Sequence, residues 1–508
     1  MSARITVRGW VNFAVSIQVV SILVVPKSRK SSQWECPTVP MPDETGHGSG
    51  TVHPDGAPRS VAGGPAGMLE RGPLTRLHLA IIALCAFGFA IDLAELALGG
   101  ALSSIFSAAP YHIDAARLTW LVTSAYVGAL IGAPTFGWLA DRIGPLKVLC
   151  LLTCWIGIWS ILSAGAPTVD MLAICRLFAG VGIGAFPPIM IAYLTDIAPR
   201  EQRGLVIFTA CCAAYLAPPL AIFAVRWLTP IAPLGIEGWR WPFAVGGVFA
   251  LLAGGAMTRL PEAPHWLAAT GRAAALRRVA DRIAQSKALG LRARPGEAVN
   301  TPADGREDPR IDARSASWRL VVLCAISFTV PIATVSFPLL TGPILLARHF
   351  SLSDTLFYIG FATFGPVVGT LLGGVLIDGI ARRMVMALCA GGMLASVGLF
   401  FLASAPLAIA VALVGFALFT SLYMPAMTLY GAELFTPSMR ARKTSIAWVA
   451  NRIAAAGAPA VLVPLVHRQE TLAIAAVLAV ALLVNLAVVA CLAPHERDSA
   501  DPLADGVG

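Results

Sequence analysis

Charge is scarce in this chain. Only 13% of its residues are Asp, Glu, Lys or Arg, against about 25% in a typical soluble domain. So few charges over 508 residues cannot cover a water-facing surface, which excludes a soluble globular protein. Several chemical signatures are missing as well. No G-x-x-x-x-G-K-[ST] loop is present to cradle a nucleotide, no H-E-x-x-H pair to hold zinc, and no G-x-S-x-G nucleophile turn. Their absence argues against an ATP-driven pump and against a membrane hydrolase, so no enzyme activity is expected. Cysteine carries little information. Cys150, Cys154, Cys175, Cys211, Cys212, Cys324, Cys389 and Cys491 lie in or beside apolar runs, where a thiol behaves as a small hydrophobe. The adjacent Cys211 and Cys212 lack the partner ligands of a metal site. No structural disulfide, metal or cofactor is expected.

What the chain has instead is apolar length. Its apolar fraction is 57% and its mean hydropathy +0.75. Runs able to cross roughly 30 Å of hydrocarbon recur near 77–105, 118–139, 146–165, 170–195, 204–228, 240–260, 318–345, 354–377, 384–403, 406–432, 441–466 and 471–492. They predict an all-α membrane protein with twelve transmembrane helices. Six spans (77–260) precede a polar stretch (261–316) and six (317–492) follow it, with a tail at 493–508. Within the polar stretch, 273–289 reads as a helix along the membrane face.

Basic residues set the orientation. Arg142 and Lys147, Arg200 and Arg203, Arg382 and Arg383, and Arg440, Arg442 and Lys443 fall on one side. The opposite loops hold only Arg117, Arg226, Arg240, Arg348 and Arg468. Both termini are therefore expected in the cytoplasm, in a multi-pass protein of the cytoplasmic (inner) membrane. The net charge of +9 follows from this topology and from contact with an anionic leaflet, without nucleic acid. Residues 1–76 form an extension in which Trp10 to Val25 is apolar but short for a span. A thirteenth helix, a signal peptide or a start at Met41 or Met68 are the readings of this region, and the late start is favoured.

The sequence also repeats itself. Gly137 and Gly374, Asp141 and Asp378, Asp196 and Glu433, and Arg203 and Arg440 are each separated by 237 residues. A duplicated helical unit in a membrane protein is the usual build of a secondary transporter.

The stretch GWLADRIGPLK, from Gly137 to Lys147, resembles the loop signature G-x-x-x-D-[RK]-x-G-[RK]-[RK] of the major facilitator superfamily. It departs from it at Pro145 and Leu146, where that family prefers basic residues. Arg176-Leu-Phe-Ala-Gly180-Val-Gly182-Ile-Gly184, followed by Pro199, Arg203 and Gly204, resembles the R-x-x-x-G-x-G-x-G helix and P-x-x-x-R-G loop of its sugar-porter and metabolite:proton-symporter branches. Pro261-Glu262-Ala-Pro264-His265-Trp266-Leu267 is similar to P-E-S-P-R-[WF]-L, with His265 in place of Arg. The motifs cover about residues 77–492. The resemblance implies two six-helix bundles rocking about a central site, and a gating role for Gly137, Asp141, Arg142, Gly144, Asp196, Arg203, Asp378, Glu433 and Arg440. In local terms Gly137 would permit close helix packing, Gly144 a tight turn, and Asp141 a helix cap. His265 reads as an ordinary loop residue.

Three charges stand inside the membrane. Asp92 and Glu95 share a face of the first span at i and i+3. At about 1.5 Å per residue, Asp92 lies roughly 22 Å from one edge, and Arg176 roughly 9 Å from the other. In a core about 30 Å thick those depths coincide. Intramembrane ionisable groups are functional before they are structural. The resemblance gives a first-helix acid and a fourth-helix arginine the proton-coupling role, carried here to Asp92 and Arg176, with Glu95 as second acid or substrate neighbour. The alternative is a buried ion pair that only fixes packing.

In the second half, Asn451 and Arg452 fall near the midplane, where Arg452 needs an anion from a helix or from the substrate. Tyr423 and Tyr430 either line the cavity or pack in the core. Pro338 and Gly342, and Pro187 and Pro188, predict kinks. The expected function is proton-coupled uptake of a small organic solute, a carboxylate before others, by a monomer, with the proton as coupling ion. Alternatives are sugar:proton symport, drug:proton efflux and, in a different class, a transport-like receptor. The efflux signature G-x-x-x-G-P-x-x-G is poorly met by the stretch from Ala213 to Ala221, which keeps only its proline.

Overall fold

The computed structural model describes residues 72–288, 313–376, 380–435 and 437–493, all within one compact unit of the chain. Among them are twelve helical segments long and apolar enough to cross a membrane, and no strand. Spans 1–6 are Arg76–Ser107, Ala115–Ile143, Pro145–Ala164, Val169–Ile197, Arg203–Ile231 and Arg240–Met257. Spans 7–12 are Ser317–Ala347, Leu352–Gly373, Arg382–Leu402, Pro406–Gly431, Lys443–His467 and Thr471–Leu492. We refer to the ends of the bundle by the connection between spans 1 and 2 (the first-loop end) and that between spans 2 and 3 (the second-loop end). The extension before residue 72, the linker residues 289–312, Asp378 and the tail after 493 lie outside the described residues.

Four spans are broken near their middles. Span 4 divides into Val169–Ile183 and Phe186–Ile197, span 5 into Arg203–Ala214 and Ala217–Ile231. Span 7 divides into Ala313–Thr334 and Ser336–Ala347, span 8 into Leu352–Ala362 and Gly365–Leu376. Each break is followed within three residues by proline: Pro187 and Pro188, Pro218 and Pro219, Pro338, and Pro366. Proline has no N–H to donate, and its ring collides with the carbonyl of the preceding turn. The kinks expected in spans 4 and 7 are present. Those in spans 5 and 8 follow the same chemistry at prolines to which no kink was assigned.

Helices in lipid gain nothing from hiding apolar surface from one another, so small residues let them approach. Spans 2 and 4 cross this way. A Cβ on Gly128 would stand 2.0 Å from the Leu177 carbonyl oxygen, and one on Gly180 2.1 Å from that of Ala125. Gly137, expected to pack closely, instead has nothing within 4 Å of where its Cβ would be. Gly342 marks a helix contact, since a Cβ there would lie 1.7 Å from Ser104 Oγ. That contact joins spans 1 and 7 toward the first-loop end. Nearby, Arg226 Nε of span 5 donates to the Ser353 carbonyl of span 8 at 2.9 Å. Large apolar side chains such as Trp138, Leu220 and Leu402 stay exposed on the outside, as a lipid-facing surface requires.

After span 6 the chain forms two short helices, Pro264–Ala269 and Ala273–Ala284. The second buries Leu276, Val279 and Ile283 and exposes Arg277, Arg278 and Arg282. Its far end ties back to the start of span 1, where Arg76 N donates to the Lys287 carbonyl at 3.0 Å.

Candidate functional site

Span 1 carries its two acids toward the centre of the first six spans, where both are 2% exposed. Glu95 is fully engaged. Arg176 Nη1 donates to its Oε2 at 2.5 Å, and Nη2 to its main-chain carbonyl at 2.8 Å. Ser160 of span 3 lies against Glu95 Oε1 and also 2.8 Å from the Phe243 carbonyl of span 6. A hydroxyl has one proton to donate. When Ser160 gives it to Phe243, Glu95 can hydrogen-bond Ser160 only by being protonated itself. The Arg176 guanidinium lies 5.4 Å from the centre of the Phe243 ring.

Arg176 thus meets Glu95, whereas depth alone paired it with Asp92. The reason lies in side-chain direction. Helical side chains lean toward their own N-terminus. Span 4 starts at the first-loop end, so Arg176 leans that way and reaches the acid one turn nearer that end.

Asp92 has no comparable partner. Its Oδ1 is buried without a hydrogen bond. The charges acting on it are the cation of Arg452, from span 11, and the like charge of Glu95. Arg452 makes no direct ion pair among the described residues. Its Nη2 lies 3.5 Å from the Gly184 carbonyl, at the break in span 4, and its guanidinium 5.8 Å from the Trp448 ring. Tyr126 of span 2 feels the charges of both Arg176 and Arg452. Asn451 is buried, and its Nδ2 has no partner. The intramembrane charges therefore divide into Glu95 bonded to Arg176 inside the first half, and Asp92 and Arg452, which make no direct ion pair and act on each other only through their charges. The sequence offered no sign of Tyr126 or Ser160, each one of several polar residues in its span.

Tyr423 and Tyr430 do not join this centre. Tyr423 is fully buried in the core of the second half, and its hydroxyl donates to Asn485 Oδ1 at 2.8 Å. Asn485 Nδ2 in turn donates to Thr329 Oγ1 at 2.9 Å. Tyr430 lies in the same core at 1% exposure. Both are core residues rather than cavity lining.

A second cluster closes the second-loop end of the first half. Gly144 turns the chain at φ 107°, and Glu262 fills the space where its side chain would be. Glu262 Oε1 accepts from Leu146 N at 2.9 Å and Ala263 N at 3.2 Å, capping the start of span 3. Burial pushes this carboxyl above its ordinary range, and the N–H groups of Leu146, Ala263 and Lys147 only partly offset it. Asp196, at the end of span 4, accepts from His265 N at 3.1 Å and also contacts the His265 ring. His265 is therefore a hydrogen-bond partner of Asp196 and not a bystander. Trp266 Nε1 donates to the Asp141 carbonyl at 3.0 Å while the Asp141 side chain stays exposed. Asp141 thus contributes its main chain and not the expected carboxylate cap. Arg142 stacks over Trp138 at 4.0 Å. Arg203, half-buried, opens span 5.

In the second half, Glu433 pairs with Arg382 at 3.7 Å. Arg440 sits in the helix Pro437–His467; its side chain and all of Asp378 lie outside what is described. Glu262 could have been found from sequence by weighing the P-E-x-P stretch as a helix cap.

The chain aligns with an inner membrane metabolite transport protein of Escherichia coli (YgcS) at 27% identity over 392 residues, 76% of this chain and 84% of that protein. It is 30% identical over 212 residues to the galactose-proton symporter of the same organism, spanning 39% of this chain and 43% of the symporter. Its fold is that of the xylose transporter XylE from E. coli in an inward open conformation, with a TM-score of 0.63 at 17% identity over 83% of this chain and 98% of the other. The sequence model of the Major Facilitator Superfamily matches residues 79–459, three-quarters of the chain. With twelve spans, that fold and that match, this chain belongs to the Major Facilitator Superfamily of membrane transporters.

Proposed function

We propose that the protein is a proton-coupled importer of a small organic carboxylate, working by alternating access in the cytoplasmic membrane as a monomer with both termini inside. The observation that carries this reading is a pair of intramembrane arginines with unequal partners, one buried and one half-buried. Arg176 makes an ion pair and two hydrogen bonds with Glu95, while Arg452 has no direct ion pair among the described residues. A half-buried intramembrane guanidinium with donors to spare is a site for a carboxylate, which it can bind through two parallel hydrogen bonds.

Proton coupling falls to Glu95. Loading a proton on it weakens its hold on Arg176 and lets Ser160 turn to Phe243, and releasing the proton restores the pair. Such a switch can load from one side and discharge to the other as the halves rock. The residues around Gly144, Glu262, Asp196 and His265 act as the latch at the second-loop end. The galactose-proton symporter among the relatives supports the use of protons as the coupling ion.

It also favours a second reading, sugar:proton symport. Against it, the seventh span offers few free hydroxyls. Thr334 and Thr341 are bonded to carbonyls of their own helix, and Ser336 keeps an unbonded Oγ. Thermal stabilisation of the purified protein separates the two. Gluconate, quinate or benzoate should raise the melting temperature and galactose and xylose should not; the reverse pattern would replace the carboxylate with a sugar.

A further inference from the structure

The central site uses none of the arginines gathered where span 6 leaves the bundle. The helix Ala273–Ala284 buries Leu276, Val279 and Ile283 in one core with Ile81 and Ile82 of span 1. That turns its other face outward, and Arg277, Arg278 and Arg282 lie exposed there. Arg278 and Arg282, at i and i+4, are neighbours on one side of the helix. Arg282 Nη2 donates to the Arg259 carbonyl at 3.0 Å. Arg259, itself exposed, follows closely on the end of span 6 at Met257. The helix therefore brings two arginines up to a third at the point where a membrane span ends.

None of Arg259, Arg278 and Arg282 makes an ion pair among the described residues. Arg278 Nε reaches the Ala274 carbonyl of its own helix at 3.4 Å. A helix face that is simply solvated tends to alternate its charges, whereas the 12 residues of this helix hold three arginines and one acid, Asp281. A guanidinium presents five N–H donors in a planar fork that suits a phosphate. With one donor of Arg282 on the Arg259 carbonyl, the others stay open.

The surface beside the cluster decides which phosphate. On span 6, Val248 and Leu252 are exposed, and helical spacing sets them on the same face as Arg259. Lipid-facing apolar surface thus runs up the span to a group of unpaired arginines, an arrangement with a tail side and a head side. A soluble phosphate would have no use for the apolar part.

We propose that Arg259, Arg278 and Arg282 bind the headgroup phosphate of an anionic phospholipid whose acyl chains lie along Val248 and Leu252 of span 6. The site is independent of what the central cavity carries. Its occupant acts as a clamp, because the far end of the same helix holds the start of span 1: Arg76 N donates to the Lys287 carbonyl at 3.0 Å and Leu77 N to Ser286 Oγ at 3.1 Å. Neutralising the arginines keeps the helix seated, and with it the span that bears both central acids.

The test is melting of the full-length purified protein in a neutral detergent with added phosphatidylglycerol, phosphatidylcholine or inorganic phosphate, with retained lipid counted by native mass spectrometry. Phosphatidylglycerol should be retained and should raise the melting temperature, by less as salt rises; the other two should not. Arg278→Gln, which breaks no contact with another element, should weaken retention about fivefold. Arg259→Gln combined with Arg278→Gln should weaken it about twenty-five-fold, with the main-chain anchor for Arg282 left in place. Arg117→Gln, at the first-loop end, should change nothing. Equal gains from phosphatidylcholine, or an undiminished gain in the folded double variant, would overturn the proposal. So would a matching gain from inorganic phosphate, which marks a soluble-anion site, or an equal loss in Arg117→Gln, which marks bulk charge.

Discussion

A carboxylate inside a bilayer keeps its charge only while a cation and donors replace its water. Glu95 has both, from Arg176 and Ser160, whereas Asp92 Oδ1 has no hydrogen bond and only the charge of Arg452 offsets its own. Replacing Glu95 with Gln should therefore abolish proton-driven accumulation while leaving solute exchange between the two sides. Loss of both in proteoliposomes would mean that the acid is structural. The residues of this centre were legible as a set, because ionisable groups in apolar runs stand out. Their pairing was not, because residue spacing gives depth but not the lean of a long side chain.

Glycine teaches the same lesson. Gly137 belongs to a recognisable motif yet faces open space, while the unremarked Gly128 touches the backbone of span 4. Gly137→Ala should change stability by no more than about 0.5 kcal/mol. Gly128→Ala should lower it by about 1–3 kcal/mol through overpacking, as read from melting in detergent.

At the scale of elements, the cluster at the second-loop end depends on the short helices after span 6. Glu262 reaches from there to cap span 3, and His265 meets Asp196 at the end of span 4. The folded protein holds Glu262 above its ordinary value of 4.5, so folding favours the protonated form. That contribution to stability is complete below the ordinary value and is lost as pH rises through the higher folded value. Glu262→Gln should therefore lose less stability than wild type between mildly acidic and neutral pH, in melting curves taken across that range. His265→Arg should retain the pair with Asp196, and, because His265 is half exposed, should shift stability by no more than about 1 kcal/mol. The twelve spans were legible to within a few residues from apolar length alone. The breaks in spans 5 and 8 were not, because proline in a membrane helix predicts a disturbance only when its neighbourhood is weighed.

At the scale of the whole molecule, the 237-residue repeat marks matching positions whose partners differ. Asp196 is held by His265 of the linker, whereas Glu433 pairs with Arg382 at the start of span 9. The repeat therefore described the frame and not its contacts. The membrane interior does not repeat at all, yet it is shared, since the charge of Arg452 in the second half acts on Asp92 in the first. Depth put both residues well inside the membrane but did not relate them, because two residues 360 positions apart have no common pattern to announce them.

The most direct measurement is uptake of labelled gluconate and quinate, which cross lipid poorly on their own, into proteoliposomes holding the full-length protein with the outside acidified. The account predicts accumulation above the external concentration that collapses when a protonophore removes the gradient, with galactose left behind. Accumulation of galactose but neither acid, or carboxylate flux that ignores the proton gradient, would contradict it.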